Sequence, residues 1–541
     1  MSNPLAQRLV VPSFISRLAK AFAPSADKTK SSSPDDESVI RVSAVVGKVA
    51  LLYEKLRNVV DYNDEHLLRK NAIFRILKRM VLLEKKRQGI GLALVRELIR
   101  ANYLPNNAIP ESKAVEVENV VVKYLFIIDA IFVRQPDKIR NLRNRDLLHI
   151  ASCEIEETLY DFHRRAELIE SMRVVLTRDI QLPETLSAED REVLILVTVL
   201  KSLLKSDEAI IYYRLLRQFM PDFFVAEPSQ EAIGAVGKTF ADFQRRVDHY
   251  LNHPLKHKLM KIGKKYSVYF LILRDVFEAN PERINDLLTH PKALEEEIIA
   301  TCDQRYREVR TKVVRSVIRS VIYIFLTKML LALLVEVPLD WWWSKEIIYS
   351  SLLINILFPP FLMTVMSLMI RLPKHQNTEK IVERLQDIVY HDGRSAEQRY
   401  VLKTAGSRSA VTSFFFNAFY FLTYGLTFGV IVWALSRLHF NVISGAIFIF
   451  FLSIVSFFAI RIRLAARELV VVDRREGLIN FLFDFLTLPI VRLGRWLSVK
   501  LSRLNVFVFF LDLFVEAPFK LFMAVAEEWL SFIREKREEI Y

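Results

Sequence analysis

Glycine and cysteine are both scarce in this sequence. Only 13 of the 541 residues are glycine, about a third of the usual share of ~7%. This scarcity excludes a collagen-like chain and argues against folds built on glycine-rich loops, such as Rossmann arrays. The two cysteines, Cys153 and Cys302, exclude a disulfide framework and favour a reducing compartment. The N-terminal region also lacks a long continuous apolar run, so the sequence predicts no secretory signal peptide.

Positive charge is in excess but is not concentrated in one module. The chain has 76 Lys and Arg against 62 Asp and Glu, a net charge of +14. Residues 1–312 and 313–541 each carry +7 of this excess, whereas a nucleic-acid-binding domain concentrates its basic residues. We therefore expect no nucleic-acid partner. A hydrophobic share of 52% beside 26% charged residues excludes a disordered chain and indicates segregated apolar blocks.

Residues 1–22 predict a basic amphipathic arm. Residues 1–26 contain Arg8, Arg17 and Lys20 but no acid. Five apolar residues fall near one helical face, which Pro12 interrupts: Leu5, Leu9, Ile15, Leu18 and Phe22. Two interpretations stay open, an arm resting on a membrane surface and an organellar transit peptide, and the first is favoured. Residues 23–38 then predict a disordered linker.

Residues 39–312 predict a large helical domain on the cytosolic side. Apolar residues recur mostly every three or four positions, which is the spacing of one helix face. Ser187 and Ser229 precede such stretches and are expected to be helix N-caps. Candidate strands such as 117–122 are isolated and lack the company that a sheet needs. The predicted fold class is all-α.

Four apolar segments predict a polytopic membrane domain over residues 313–476. They are 317–339, 347–370, 410–435 and 442–460, each long enough to cross a hydrocarbon core of ~30 Å. The loops 371–408 and 461–503 hold eight and nine Lys and Arg, whereas 336–346 and 436–441 hold one each. By the positive-inside rule, the helical domain and both termini are cytosolic. The predicted location is the cytoplasmic membrane, with an organellar inner membrane as the alternative.

Residues 477–541 predict interfacial or re-entrant amphipathic helices and a cytosolic tail. The apolar stretches 479–493 and 504–526 contain charged residues that are costly at bilayer depth. These candidate interfacial residues are Asp484, Asp512, Glu516 and Lys520. An interfacial helix leaves such groups in water and its apolar face in lipid, next to anionic headgroups.

Lys328 is the main candidate for intramembrane chemistry. It lies at the centre of the first predicted span, and Glu336 follows about 80° around the same helix. In the second span, Asn355 precedes Pro359 and Pro360, which break or kink a helix and free carbonyl groups. A cation facing such an opened helix suits ion or proton movement. The alternative, which is favoured, is that Lys328 snorkels toward the cytosolic surface.

The third span contains two further features. Gly425 and Gly429 form a GxxxG pair that permits close helix packing, and Asn417 is a candidate polar clasp between helices. Neither feature identifies a function.

Two weak motifs lie in the helical domain, and neither predicts a cofactor. Gly237, Lys238 and Thr239 fit a relaxed phosphate-loop pattern, but the strand that such a loop follows is missing. His249, His253 and His257 recur every four residues, yet Pro254 breaks the helix that would align them on a metal. We expect neither a nucleotide nor a metal, and the sequence contains no complete catalytic motif.

The favoured function is a membrane-anchored scaffold whose helical domain binds protein partners. The alternative is a subunit of an ion- or proton-linked transporter or channel that uses Lys328 and the proline-broken second span. A transporter with so few spans needs oligomerisation, which the GxxxG pair permits.

Overall fold

The computed structural model describes residues 11–24, 38–42, 65–131, 136–225, 227–338, 341, 349–368, 370, 373, 375–390, 400–403, 410–472 and 478–503, with residues 525, 529, 532, 533 and 536. Over these ranges the protein is almost entirely helical, so the predicted all-α class is confirmed. It divides into a helical unit, residues 1–289, 388–404 and 512–541, and a membrane unit, residues 290–387 and 405–511. The helical unit thus ends before the predicted boundary at residue 312, because one continuous helix begins at Pro291.

The helical unit has eleven helices among its described residues. They are α1 (Ser13–Phe22), α2 (Glu65–Lys78), α3 (Ile90–Arg100), α4 (Glu111–Phe126), α5 (Asp137–Leu159), α6 (His163–Asp179), α7 (Ala188–Leu203), α8 (Glu208–Phe219), α9 (Gln230–Leu251), α10 (Lys256–Ala279) and α11 (Ile284–Thr289). Single π turns extend α2 over Arg79–Leu83 and α4 over Ile127–Ile131, and short 3₁₀ turns occur at Pro221–Phe224 and Pro281–Arg283. The candidate strand 117–122 therefore lies within α4.

Both predicted N-caps are confirmed. The Ser187 hydroxyl accepts a hydrogen bond from the Asp190 amide at 3.0 Å at the start of α7. The Ser229 hydroxyl accepts one from the Ala232 amide at 3.1 Å at the start of α9. Each bond satisfies an amide that has no carbonyl partner within its own helix.

Helix α1 is part of the helical core, which corrects the interpretation that residues 13–22 rest on a membrane surface. Its apolar residues Phe14, Ile15 and Leu18 are at most 5% exposed and pack against α6. Arg17, on the outer side, pairs with Glu167 of α6 at 3.5 Å. Pro12 precedes the first turn and does not interrupt the helix. Because protein covers the apolar face, that face is not available to a membrane, and residues 1–10 lie outside the described ranges.

A two-stranded parallel pair brings a distant segment into the helical unit. Strand β1 (Ile180–Gln181) pairs with β2 (Tyr400–Val401), with Ile180 opposite Tyr400. The Lys258 ammonium also donates to the Lys403 carbonyl at 3.1 Å. Residues 400–403 lie between the second and third apolar helices in sequence, and yet they are packed in the helical unit.

The membrane unit contains the four predicted spans. Its helices are α12 (Pro291–Leu331), continued by a π turn (Ala332–Glu336), α13 (Tyr349–Leu368), α14 (His375–Tyr390, of which residues 388–390 belong to the helical unit), α15 (Ala410–Arg437), α16 (Val442–Ala466) and α17 (Leu478–Arg503). Four helices are long and apolar enough to cross a membrane: α12 with its π turn, α13, α15 and α16. They support the predicted membrane location.

A buried amide joins three segments of the membrane unit. The Asn377 side chain, on α14, donates to the Leu469 carbonyl at 2.8 Å and to the Tyr306 hydroxyl at 2.9 Å. Its oxygen accepts the Val471 amide at 2.8 Å. Asn377 therefore ties α12 and α14 to the chain just after α16, and it satisfies backbone groups that no helix would satisfy.

Helix α17 packs closely against α16, and the interfacial or re-entrant placement of residues 477–541 stays a prediction. A Cβ added to Gly494 would lie 2.0 Å from the Ser453 carbonyl oxygen, so the two backbones touch at this point. Ser453 is near the middle of α16, so Gly494 packs beside the middle of a candidate span. The re-entrant alternative is compatible with this contact.

We predict that Gly494→Ala destabilises the membrane unit by roughly 1–3 kcal/mol, because the added methyl group must push α17 away from α16. The matched control is Gly425→Ala, where an added Cβ meets nothing within 4 Å; it should change stability by less than ~0.5 kcal/mol. Thermal unfolding of both variants in detergent measures the difference. Equal melting temperatures for the two variants would contradict the close α16–α17 contact.

Candidate functional site

Three of the predicted intramembrane residues meet in one buried cluster. The Lys328 ammonium donates to Oε1 of Glu336, and the Asn355 amide donates to Oε2 of the same carboxylate at 2.6 Å. The three side chains are 0%, 1% and 0% exposed, respectively. The favoured interpretation, in which Lys328 snorkels to the cytosolic surface, is therefore wrong, because its ammonium is fully buried against Glu336.

The π turn after α12 places Glu336 on the same face of the helix as Lys328. Eight residues of regular α-helix would separate the two side chains by about 80°. The π turn Ala332–Glu336 accommodates one extra residue, which brings the separation to within about 20°. π turns occur frequently at functional sites. This one makes an ion pair possible between residues that a straight helix would direct apart.

The two prolines of α13 lie directly after Asn355 and remain inside a continuous helix. Proline has no N–H, so Pro359 cannot donate to the Asn355 carbonyl, which is four residues earlier. The side-chain oxygen of Asn355 is also buried without a hydrogen-bond partner. Asn355 therefore directs its amide at Glu336 and retains an unused acceptor within the membrane unit.

The cluster is electrically neutral and enclosed by apolar groups. The Lys328 ammonium lies 4.8 Å from the centroid of the Phe451 ring of α16, close enough for a cation–π interaction. Removing either partner of a buried ion pair leaves an unpaired charge and costs ~3–5 kcal/mol. The cluster thus links α12, its π turn, α13 and α16 through groups that have no comparable alternative partner in lipid.

The other predicted intramembrane residues do not join this cluster. Gly425 and Gly429 are exposed on α15, and an added Cβ would meet nothing within 4 Å at either position. The GxxxG pair therefore packs against no second helix in the described part of the chain, and packing between copies stays a prediction. Asn417 is also exposed on α15. Asp484 lies in α17 with its side chain outside the described set, and Asp512, Glu516 and Lys520 lie outside the described residues altogether.

Neither of the two weak motifs of the helical unit forms a binding site in the described residues. Gly237, Lys238 and Thr239 lie in the middle of α9, where the Thr239 hydroxyl donates to the Ala235 carbonyl at 2.8 Å. His249 lies in the last turn of α9, His253 lies in the turn that follows, and His257 lies in the first turn of α10. The described residues contain no group of three side chains that could hold a metal.

A cleft of about 520 Å³ opens in the helical unit. Its charged lining consists of three carboxylates, Asp146, Asp207 and Glu208, and one guanidinium, Arg145. Burial raises the pKa of Asp146. Burial, and then the nearby Lys70 ammonium, lowers the pKa of His149 to about 4, so this wall of the cleft is a neutral imidazole at physiological pH. Asp207 already pairs with the Lys70 ammonium, which leaves Asp146 and Glu208 as the acidic groups of the lining that could meet a positively charged group.

Several contributors to these sites carry no signal in the sequence. Phe451 lies in an uncharged apolar run, where nothing distinguishes it from its neighbours. Asn377 lies in a polar helix, where an amide is ordinary. Gly494 had a signal, since a rare glycine inside an otherwise bulky apolar helix often marks close backbone approach.

No protein-family model matches the sequence, and neither a curated protein nor a solved structure does.

We predict that Asn355→Leu lowers the free energy of unfolding by roughly 1–3 kcal/mol, because the buried Oε2 atom of Glu336 loses its hydrogen-bond donor. The control is Asn417→Leu, on the exposed face of α15, which should be neutral or stabilising in detergent or lipid. Thermal unfolding of purified full-length protein measures both. If Asn417→Leu proved as damaging as Asn355→Leu, the assignment of Asn355 to a buried polar cluster would be wrong.

Proposed function

We propose that this protein is a membrane-anchored interaction protein, in which the membrane unit is the anchor and the helical unit binds a partner. The internal neutralisation of the intramembrane cluster is the observation that carries this proposal. Lys328 and Glu336 form an ion pair with each other, and each oxygen of the carboxylate accepts a hydrogen bond. A group that moves ions must exchange partners, whereas these groups are enclosed and paired as in a fixed helix clasp.

The helical unit faces the cytosol in this proposal. Loop charge supports this orientation, with eight and nine basic residues in the two loops on one side against one each on the other. The pairing of β2 with β1 is consistent with it. Two spans separate Thr289 from Tyr400, and an even number of crossings returns the chain to the side from which it started. The same logic applies to an organellar inner membrane, where this side is the matrix or stroma.

The cleft of the helical unit is the proposed partner-binding feature. Its carboxylates Asp146 and Glu208, together with the ring of Tyr212, suit a Lys or Arg side chain, whose aliphatic part packs on aromatic surface while its charge meets an acid. The partner in this proposal is a protein that presents a basic side chain. Oligomerisation of the anchor remains part of the proposal, because the GxxxG surface of α15 is open.

Flux measurements on reconstituted full-length protein test the anchor. We expect proton flux into liposomes that contain the wild type to equal the flux for Lys328→Met/Glu336→Leu. This double variant is a matched control, since it removes both charges, keeps the site neutral and retains similar side-chain volume. Protein-free liposomes give the baseline. Wild-type flux above both the double variant and the baseline would reject the anchor proposal.

One observation favours a second function, the movement of a proton or small cation. The side-chain oxygen of Asn355 is fully buried without a partner, and Pro359 deprives the carbonyl of the same residue of its helical donor. Oxygens of these two kinds, a side-chain amide and a backbone carbonyl, are of the type that binds hard cations. Under this function, flux depends on Asn355 as well as on the ion pair, so Asn355→Leu should abolish it.

A further inference from the structure

One end of the helical unit exposes large apolar side chains that its own core leaves uncovered. Leu83 is 73% exposed, Phe126 36%, Ile139 45% and Leu142 49%. Isolated exposed apolar residues are common on soluble surfaces, but a group of them indicates an interaction site.

Specific contacts place these residues at the same end of the unit. Arg87, just after the π turn that ends at Leu83, donates to both oxygens of Asp129 at 2.6 and 3.0 Å. Asp129 follows Phe126 by three residues. The Arg69 guanidinium of α2 donates to Glu156 of α5 at 3.0 Å, and the Phe74 ring of α2 stacks on His149 of α5 with the ring centroids 3.4 Å apart. These two contacts make α2 and α5 antiparallel neighbours. The π turn that ends at Leu83 therefore lies beside the start of α5, which carries Ile139 and Leu142.

The same end is strongly basic. Residues 83–87 and 136–145 hold seven Lys and Arg against two acids. Lys85, Lys86 and Lys138 are all exposed. We call these three lysines, with Leu83, Phe126, Ile139 and Leu142, the basic apolar face.

We infer that the basic apolar face docks on the anionic headgroups of the membrane in which the chain is anchored. Apolar side chains among lysines are the pattern of surfaces that insert shallowly into an interface while their charges meet anionic lipid. A protein partner is less favoured, since the fully buried centre of a protein interface is depleted in lysine. The anchor raises the local concentration of lipid, so even a weak face is engaged. This inference rests on the proposed anchoring and goes beyond the proposed partner binding, on which it does not depend.

The expected strength follows from the charge. A Lys or Arg near an anionic leaflet contributes about 1 kcal/mol, which is about fivefold in the equilibrium constant for docking. Removing three lysines should therefore shift this equilibrium by about a hundredfold, enough to change a docked face into an undocked one. Salt should have the same effect, because the Debye length falls from about 10 Å at 0.1 M to about 3 Å at 1 M.

The test uses full-length protein in lipid nanodiscs with Leu142→Cys labelled by an environment-sensitive fluorophore. Cys153 and Cys302 are both buried, so the label reports one position. We expect quenching by spin-labelled lipid to be at least about twofold stronger in discs that contain anionic POPG than in discs of neutral POPC. This difference should be lost at about 1 M salt.

Two charge variants decide the interpretation. Lys85→Gln/Lys86→Gln/Lys138→Gln should lose the POPG-dependent quenching. Lys238→Gln/Lys261→Gln/Lys264→Gln removes the same charge from exposed positions elsewhere in the unit and should keep the POPG-dependent quenching. The two triple variants should have equal melting temperatures. Equal quenching in the two lipids, or equal loss in both variants, would overturn the proposal. A label shielded from soluble quencher but never quenched by lipid would also overturn it and would indicate a protein partner.

Discussion

The ion pair between Lys328 and Glu336 is the interaction on which the membrane unit depends. A charge in the hydrocarbon region is expensive unless it is paired, and here each partner removes the penalty of the other. Asn355 completes the arrangement by donating to the second carboxylate oxygen at 2.6 Å. Because the three groups come from α12, its π turn and α13, and the ammonium lies against Phe451 of α16, separating these helices would expose an unpaired charge to lipid.

Two other contacts of the membrane unit also join its helices. Asn377 joins α12 and α14 to the chain after α16 through three hydrogen bonds of 2.8–2.9 Å. Gly494 lets α17 touch the backbone of α16 near the middle of the span. Polar bonds and close backbone contacts are the forces available between helices in lipid, where apolar burial contributes little. By contrast, the helical unit relies on an apolar core, into which even α1 is packed.

Local pattern explains what the sequence predicts well. The four spans follow from long, mostly apolar segments, and the caps at Ser187 and Ser229 follow from residue type beside apolar periodicity. Lys328, Glu336 and Asn355 can be identified from the sequence because polar groups are rare in such spans. Their contact with one another cannot be predicted, because a π turn leaves no mark in composition and changes the helix face of every later residue. The prediction that residues 13–22 rest on a membrane surface was wrong for a similar reason. Amphipathicity shows that α1 has an apolar face, but it does not distinguish α6 from a lipid surface as the cover.

The coupling free energy between Lys328 and Glu336 tests the central claim most directly. A double-mutant cycle with Lys328→Met, Glu336→Leu and the combined variant, measured by unfolding of full-length protein in detergent, isolates this energy. A clasp predicts that each single change destabilises the protein by ~3–5 kcal/mol and that the combined change recovers most of that loss. Two single effects that simply add in the double variant would contradict the account, because they would show that the two charges do not stabilise each other in the folded protein.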